Sequence, residues 1–308
     1  MAVEILLSTY NGEKFLREQL DSLLAQTYQD WRLVVRDDGS TDATLAILSE
    51  YAQSFPARFD LLSDGQRLGA KHSFSALMAR STAPYLAFCD QDDLWMPEKL
   101  EVMMNALREQ EQLAGEEMPV LVHCDLALVD VGLQPIAPSF WAFQGIRAER
   151  NAPEQLLVEN TVTGCATLFN RALLAKAQPV PDSAYMHDYW LALVASCCGR
   201  IVTLPQALIL YRQHGHNTLG AKQMPGLFSL PRGFLNPRLW SVSYTHACNQ
   251  ARALLERMDS MLPAATTKRI RRFADLYDHG WLGRRWTLIS TGALPGRLRR
   301  RLSLLSRI

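Results

Sequence analysis

Three short apolar runs, residues 3–9, 31–35 and 85–89, each stop at a polar cluster. That pattern constrains the fold more than any other feature of the chain. Runs of this length and composition predict buried strands. After the first, Tyr10-Asn11-Gly12 is turn chemistry. Apolar residues at 15, 16, 20, 23 and 24 then predict a helix. The second run ends in Arg36-Asp37-Asp38-Gly39-Ser40-Thr41-Asp42, where Ser40 or Thr41 is expected to cap a helix running to about Tyr51. A short strand at 59–62, a break at Leu68-Gly69 and a helix through about Ala79 lead to the third run. Pro97 precedes a helix over 98–112.

Strands and helices alternating at this spacing predict a parallel sheet with crossover helices. Ligands on such sheets gather at the C-terminal ends of the strands. Ser8, Thr9, Asp37, Asp38, Asp90, Asp92 and Asp93 are therefore expected at one edge. The third run ends in Asp90-Gln91-Asp92-Asp93, three carboxylates within four positions. Carboxylates so close repel and raise one another's pKa. A hard divalent ion, Mg²⁺ or Mn²⁺, would relieve that repulsion. The competing reading is an acidic loop that also caps the next helix.

Beyond Gly115 the pattern changes. Residues 120–125, 127–130, 200–204 and 207–212 predict strands, and residues 159–169 lead into another. Residues 132–155, rich in Pro, Gly and aromatics, predict a loop or flap. Arg171 opens one helix and His187 another, through about Cys198. Beyond about Gly220 the chain turns helical and basic, with Pro225, Pro231 and Pro237 marking a linker.

The chain has 308 residues, 48% hydrophobic and 20% charged, with net charge +1. That is ordinary globular composition, and it gives no electrostatic case for nucleic acid. The charge is uneven: residues 268–308 carry +9 and the rest −8. Six cysteines without a CxxC pair predict buried thiols in a reducing compartment rather than disulfides or a zinc site. No signal peptide is evident, and no apolar stretch reaches the ~20 residues needed to span a bilayer. The expectation is a cytoplasmic protein.

The order of the polar clusters resembles the family 2 glycosyltransferases over residues 3 to about 220. The stretches that carry the resemblance are Leu7-Ser8-Thr9-Tyr10-Asn11-Gly12, Asp37-Asp38-Gly39-Ser40-Thr41-Asp42, Asp90-Gln91-Asp92-Asp93, Thr163-Gly164-Cys165, His187-Asp188-Tyr189-Trp190 and Tyr211-Arg212-Gln213-His214-Gly215-His216-Asn217. The Asp-Gln-Asp-Asp, His-Asp-Tyr-Trp and Tyr-Arg-Gln-His set is most similar to the rhamnosyltransferase-like branch, which acts in O-antigen and other surface polysaccharide assembly. The resemblance implies a GT-A fold: a Rossmann-like, mostly parallel mixed sheet flanked by helices, with a helical basic C-terminal region appended. It also implies an inverting, metal-dependent transferase. The donor would be a nucleoside diphosphate sugar, with dTDP-rhamnose favoured, and the acceptor a hydroxyl of a glycan or lipid-linked oligosaccharide.

The same resemblance assigns roles. Ser8, Thr9, Asn11, Asp37, Asp38, Asp90 and Gln91 contact the donor, and Lys71 meets its phosphate. Asp92 and His214 hold the metal. Asp188 is the catalytic base, and Thr163, Gly164, His187 and Trp190 lie on the acceptor side. Asp93 is expected to cap the following helix. Without the resemblance, Asp37-Asp38-Gly39-Ser40-Thr41-Asp42 reads as turn and cap chemistry, and Asp188 as a helix N-cap. Leu68-Gly69-Ala70-Lys71-His72 departs from the Asn-rich segment usual in the family.

Two units follow: residues 1–220, with a nucleotide half to about 115 and an acceptor half from 116, and residues 221–308. The segment 297–308 alternates arginine with apolar residues and is expected to lie on an anionic leaflet, placing the protein peripherally on the inner face of the plasma membrane. Two other functions are open. A sugar-1-phosphate nucleotidyltransferase would need a glycine-rich basic loop where Ser8-Thr9-Tyr10-Asn11-Gly12 stands. A catalytically silent nucleotide-sugar-binding relative would have no need of Asp92, Asp188 and His214 together.

Overall fold

In the computed structural model the three apolar runs lie side by side. β1 (Val3–Thr9) pairs in parallel with β2 (Trp31–Asp37) on one side and β4 (Tyr85–Cys89) on the other. Thr9 pairs with Asp37 and Leu7 with Cys89, so the chain leaves all three strands at one edge. Parallel neighbours need long crossovers. These are α1 (Leu16–Leu24), then α2 (Thr44–Ser54) before β3 (Phe59–Leu62), then α3 (Ala70–Arg80). The structure describes residues 2–62, 64–214 and 237–308.

The chain continues through β5 (Leu94–Trp95), α4 (Lys99–Ala114), β6 (Val120–Val129), β7 (Pro135–Ala137), α5 (Phe140–Gln144) and α6 (Pro153–Leu156). β8 (Thr167–Asn170), α7 (Arg171–Ala177), α8 (His187–Cys198) and β9 (Arg200–Arg212) complete the sheet region. The strand order is β3-β2-β1-β4-β8-β6-β9-β5, with β7 hung on β6. β8 runs antiparallel to both β4 and β6, while β9 runs parallel to β6.

Two expected strand pairs are single strands. β6 runs through residues 120–129 and β9 through 200–212, with register shifts on either side of Asp125. A bulge bends a strand without ending it, so the polar interruptions read from the sequence as breaks. The expected flap contains β7, α5 and α6. Asp125 anchors it, accepting hydrogen bonds from the backbone of Trp141 at 3.1 Å and from the Ser139 hydroxyl. At α2 the expected cap is replaced. The helix begins at Thr44, and Asp42 accepts the Thr44 N–H at 3.0 Å, while Ser40 serves Asp37.

Both faces of the sheet are covered, which is why its central strands are mostly apolar, the buried Glu4 of β1 being met by Arg32 of β2. Ile5 and Leu7 face a core shared with Leu20 and Met103, from α1 and α4. Leu6, Phe88 and Phe169 face a second core with Phe74 and Trp190. α9 (Pro237–Met258), α10 (Ala264–Ala274), α11 (Trp281–Thr291) and α12 (Leu298–Arg307) extend that second core through Cys248, Leu254, Phe273 and Leu288. The linker residues Pro225 and Pro231 lie outside the described residues, as do Gly215, His216 and Asn217. Pro237 opens α9.

α12, the segment expected to lie on an anionic leaflet, is docked on the rest of the chain along one side. Arg300 pairs with Glu159 and donates to the Gln144 carbonyl at 2.8 Å, and Leu304 and Ile308 are buried. All six cysteines are free thiols; four are buried, and Cys197 and Cys198 are half-buried.

Candidate active site

The ends of β1 and β2 are woven together by side chains. Asn11 adopts φ +47°, a left-handed conformation that asparagine tolerates better than most residues. In that position its Oδ1 accepts the Thr41 N–H at 2.9 Å, and its own N–H donates to Ser40 Oγ at 2.9 Å. Asp37 is buried and accepts from Thr9 Oγ1 (2.9 Å), Ser40 Oγ (2.6 Å) and the N–H groups of Gly39 (3.1 Å) and Ser40 (2.8 Å). Ser8 is half-buried beside Arg36 in register.

Asp38 is equally committed. Its Oδ1 accepts from Arg36 (2.7 Å), Ser73 Oγ (2.9 Å) and the Leu68 N–H (2.6 Å), and its Oδ2 from the Gly69 N–H (2.8 Å). Burial raises the pKa of this carboxyl, but the Leu68 N–H, the Arg36 guanidinium and the Gly69 N–H together hold it below its ordinary value. Oδ1 takes three of these bonds and Oδ2 one, so the carboxylate keeps acceptor capacity on Oδ2 for a base N–H.

Gln91 fastens the third strand end to the first. Its Oε1 accepts the Tyr10 N–H at 2.9 Å and its Nε2 donates to the Tyr10 carbonyl at 3.1 Å. The amide clasps the Tyr10 backbone. It also explains Gly12: a Cβ there would stand 2.7 Å from Gln91 Cδ.

Asp90, Asp92 and Asp93 occupy three different environments. Asp92 Oδ2 lies 2.6 Å from His214 Nε2, and both side chains are largely covered, 14% and 12% exposed. Asp90 is pushed up to about 7 by burial and by the charges of Asp92 and Asp188, against the pull of Cys165 and Lys99. Asp93 is fully buried and accepts the Arg212 N–H at 3.1 Å. It does not cap α4, because β5 separates it from that helix. Burial and its two neighbours drive its pKa well up.

Asp188 stands in the first turn of α8. Its Oδ1 accepts the Tyr189 N–H at 2.8 Å, and the Gly164 N–H also donates to the carboxylate. Burial nevertheless pushes Asp188 up to about 6. Gly164 belongs to a 3-10 turn leading into β8, and Thr163 precedes it, half-buried.

Three other expected site residues face elsewhere. Lys71 Nζ donates to the carbonyls of Asp182 (2.8 Å) and Ala184 (3.2 Å), so it is a strut between α3 and the loop before α8. His187 is buried, stacked on Phe74 with ring centroids 4.1 Å apart, and edge-on to Phe88. Burial lowers its pKa to about 3, so it is neutral. Trp190 is fully buried and donates its indole N–H to the Ala177 carbonyl at 2.8 Å. Neither His187 nor Trp190 reaches the acceptor side, because both point into the core beneath α8.

Arg212 and Lys99, not among the expected site residues, turn out to support the acidic loop. Arg212 is 1% exposed, stacks on Phe15 and pairs with Glu18. It donates to the carbonyls of Asp92 (3.0 Å) and Val131 (2.7 Å), so it splints the acidic loop to α1 and the flap. Lys99 is fully buried, donates to the Cys165 carbonyl at 2.9 Å and lies over the Trp95 ring. It is the cation beneath the carboxylates. Its only sequence signal is spacing: 99, 103 and 107 share one face of α4, and Met103 and Leu107 are buried.

The donor atoms present fit a hard divalent cation at Asp92 and His214: a carboxylate oxygen and an imidazole nitrogen already in contact at the open end of the sheet. Asp90, Asp93 and Cys165 also cluster, with ligand atoms within 4.8 Å. That second group suits such an ion poorly, because burial keeps the Cys165 thiol protonated.

The strand order and the site at its edge define the GT-A fold: a curled, mostly parallel sheet flanked by helices. Staphylococcus aureus TarS 1-349 in complex with UDP-GlcNAc superposes with a TM-score of 0.60 at 16% identity, covering 94% of this chain and 80% of that one. The mannosyltransferase PcManGT of Pyrobaculum calidifontis, in complex with GDP-Man and Mn²⁺, gives 0.55 at 19% identity, covering 95% and 73%.

Residues 4–120 match the family model described as glycosyl transferase family 2. An uncharacterized glycosyltransferase of Haemophilus influenzae is 26% identical over 221 residues, 70% of this chain and 67% of its own. An uncharacterized protein of Mycobacterium tuberculosis is 27% identical over 216 residues, 70% of this chain and 59% of its own. The chain thus spans less than two thirds of the length of that relative.

Proposed function

We propose that this chain is a glycosyltransferase that moves a sugar from a nucleoside diphosphate donor to a hydroxyl of a glycan or lipid-linked acceptor, inverting the anomeric carbon. The observation that carries the reading is the place of Asp188. It is a carboxylate at a helix start, beside the Gly164 turn, and near enough to Asp90 for its charge to raise the Asp90 pKa.

In this reading Asp188 takes the proton of the acceptor hydroxyl as that oxygen attacks. The carboxylate keeps lone pairs beyond the bonds it accepts from the Tyr189 and Gly164 N–H groups, and one of these receives the proton. A pKa of about 6 makes this carboxylate a stronger base than an ordinary aspartate while leaving it ionised above neutrality. Asp92 and His214 would hold a divalent cation, which supplies charge neutralisation at the departing diphosphate. Asp90 serves the donor ribose or the waters of that ion. Thr9, Asn11, Asp37 and Gln91 shape the donor cradle through the backbone they hold, with Ser8 and Asp38 at its wall. Lys71 acts through the loop before α8, not on phosphate.

The rhamnosyltransferase-like motif set makes dTDP-rhamnose the favoured donor, although the two solved neighbours above carry UDP-GlcNAc and GDP-Man. Among the described residues no helix is long and apolar enough to cross a membrane. We place the protein peripherally, at the surface where a lipid-linked acceptor would stand. Thermal-shift titration with UDP, GDP and dTDP and their sugars, with Mg²⁺ or Mn²⁺, tests the assignment. A dTDP preference supports the rhamnosyl reading, and silence toward every nucleotide removes the transferase reading altogether.

A further inference from the structure

We infer that the outward face of α11 is the surface that docks on an anionic bilayer. The inference rests on the peripheral placement proposed above but moves the contact away from α12. At 3.6 residues per turn, Trp281, Arg285, Ile289, Leu282 and Trp286 fall within an arc of about 140°. Trp281 is 62% exposed, Leu282 71%, Trp286 63% and Ile289 51%. Thr287, Leu288 and Thr291, on the other side of the helix, pack inward. Two tryptophans and two aliphatic side chains on one exposed helix face form an apolar patch of a kind that soluble surfaces rarely leave bare.

Charge decides the occupant. After Asp278 the chain has seven arginines and no Asp or Glu. Arg285 lies on the Trp281 ring, its guanidinium carbon 3.8 Å from the centroid. A cation held against an indole suits the headgroup region, where tryptophan concentrates and phosphates supply the counter-charge. α12 adds Leu298, 69% exposed, and Leu302, 59% exposed, one turn apart. Its Arg300 is withdrawn to Glu159 and Gln144, so α12 assists rather than leads. An apolar face edged by arginine, in a segment without Asp or Glu of its own, matches an anionic leaflet.

The full chain is sedimented with vesicles of phosphatidylcholine, with and without phosphatidylglycerol. Binding is expected only to the anionic vesicles, falling about tenfold in the Trp281→Ser, Trp286→Ser double variant at an unchanged melting temperature. If that variant melts early, Leu282→Gln with Ile289→Gln on the same face replaces it. Failure of the unaltered chain to bind anionic vesicles removes the peripheral placement. Anionic binding that both variants retain removes the α11 face alone. A dimer of the unaltered chain that the variants dissociate assigns the face to a second copy and overturns the inference.

Discussion

Gly164 lies against Asp188: a Cβ at position 164 would stand 3.2 Å from Asp188 Oδ2 and 3.3 Å from its Cβ. That spacing is tighter than ordinary van der Waals contact, so the glycine is what lets the β8 turn and the α8 start share one corner. Gly164→Ala is expected to push the carboxylate aside by a few tenths of an ångström. Misplacing a reacting group by about 1 Å costs ~100-fold, so we expect kcat to fall about tenfold with donor KM and melting temperature little changed. Steady-state kinetics and a thermal melt check this; a variant that loses stability instead places the glycine in folding, not in positioning.

Asp188→Asn keeps the shape of the side chain and its acceptance of the Tyr189 N–H while removing the base. Transfer is expected to drop by about 100- to 10,000-fold. Donor affinity, read by calorimetry with a nucleoside diphosphate, is expected to stay within about twofold, because Asp188 belongs to the acceptor half. Near-normal turnover would remove Asp188 as the base.

The acidic loop makes stability depend on pH in an unusual direction. Asp90 is raised from 3.8 to about 7 and Asp188 from 3.8 to about 6. Between these values the folded chain holds protons that the unfolded chain has released, so these groups lower stability as pH rises from about 4 to 7. Asp90→Asn is expected to stabilise the ligand-free protein at pH 7.5 by about 1–2 kcal/mol, after discounting for partial exposure. At pH 4 the gain should vanish. Denaturant unfolding at both pH values checks the sign, and an equal gain at both would refute the cause.

His214→Ala tests the metal pair. Its Nε2 sits 2.6 Å from Asp92 Oδ2, so removing the ring takes one of two donors from the proposed cation site. The Mn²⁺ concentration giving half-maximal thermal shift, measured with a nucleoside diphosphate present, is expected to rise more than about tenfold. Asp92→Asn should behave alike, and the double variant should add little beyond either.

The central strands were legible because burial on both faces writes a mostly apolar run. Their meeting at one edge followed from the alternation with helices. What each polar residue does there was less legible. Asp37-Asp38-Gly39-Ser40-Thr41-Asp42 serves equally to build a turn or to bind a ligand, and the structure commits Asp37 and Asp38 to loop hydrogen bonds. In His187-Asp188-Tyr189-Trp190 the helix period was the missed clue. Residues 187 and 190 share a face, so one buried tryptophan implied a buried histidine, with Asp188 turned away from them. Lys99 and Arg212 escaped because nothing in composition distinguishes a buried counter-charge from a solvated one until the carboxylates above it are placed.

Gln91 offers the last test, because its two ends hold both polar groups of Tyr10 and its amide fills the space above Gly12. Gln91→Ala removes two exposed hydrogen bonds, together about 1–2 kcal/mol, and frees the Tyr10-Asn11-Gly12 turn. Gly12→Ala reaches the same end from the other side, because its Cβ would displace the amide. If Gln91 were a direct donor ligand, the two variants would differ: loss of the side chain would weaken nucleotide binding, while a methyl at 12 would matter less. If it is a clasp, both variants should raise donor KM by a similar factor, about three- to tenfold, and the double variant should be no worse than the more damaging single change. A double-mutant cycle on KM and melting temperature separates these outcomes. Strict additivity of the two changes would show that the amide and the glycine do not act through one contact.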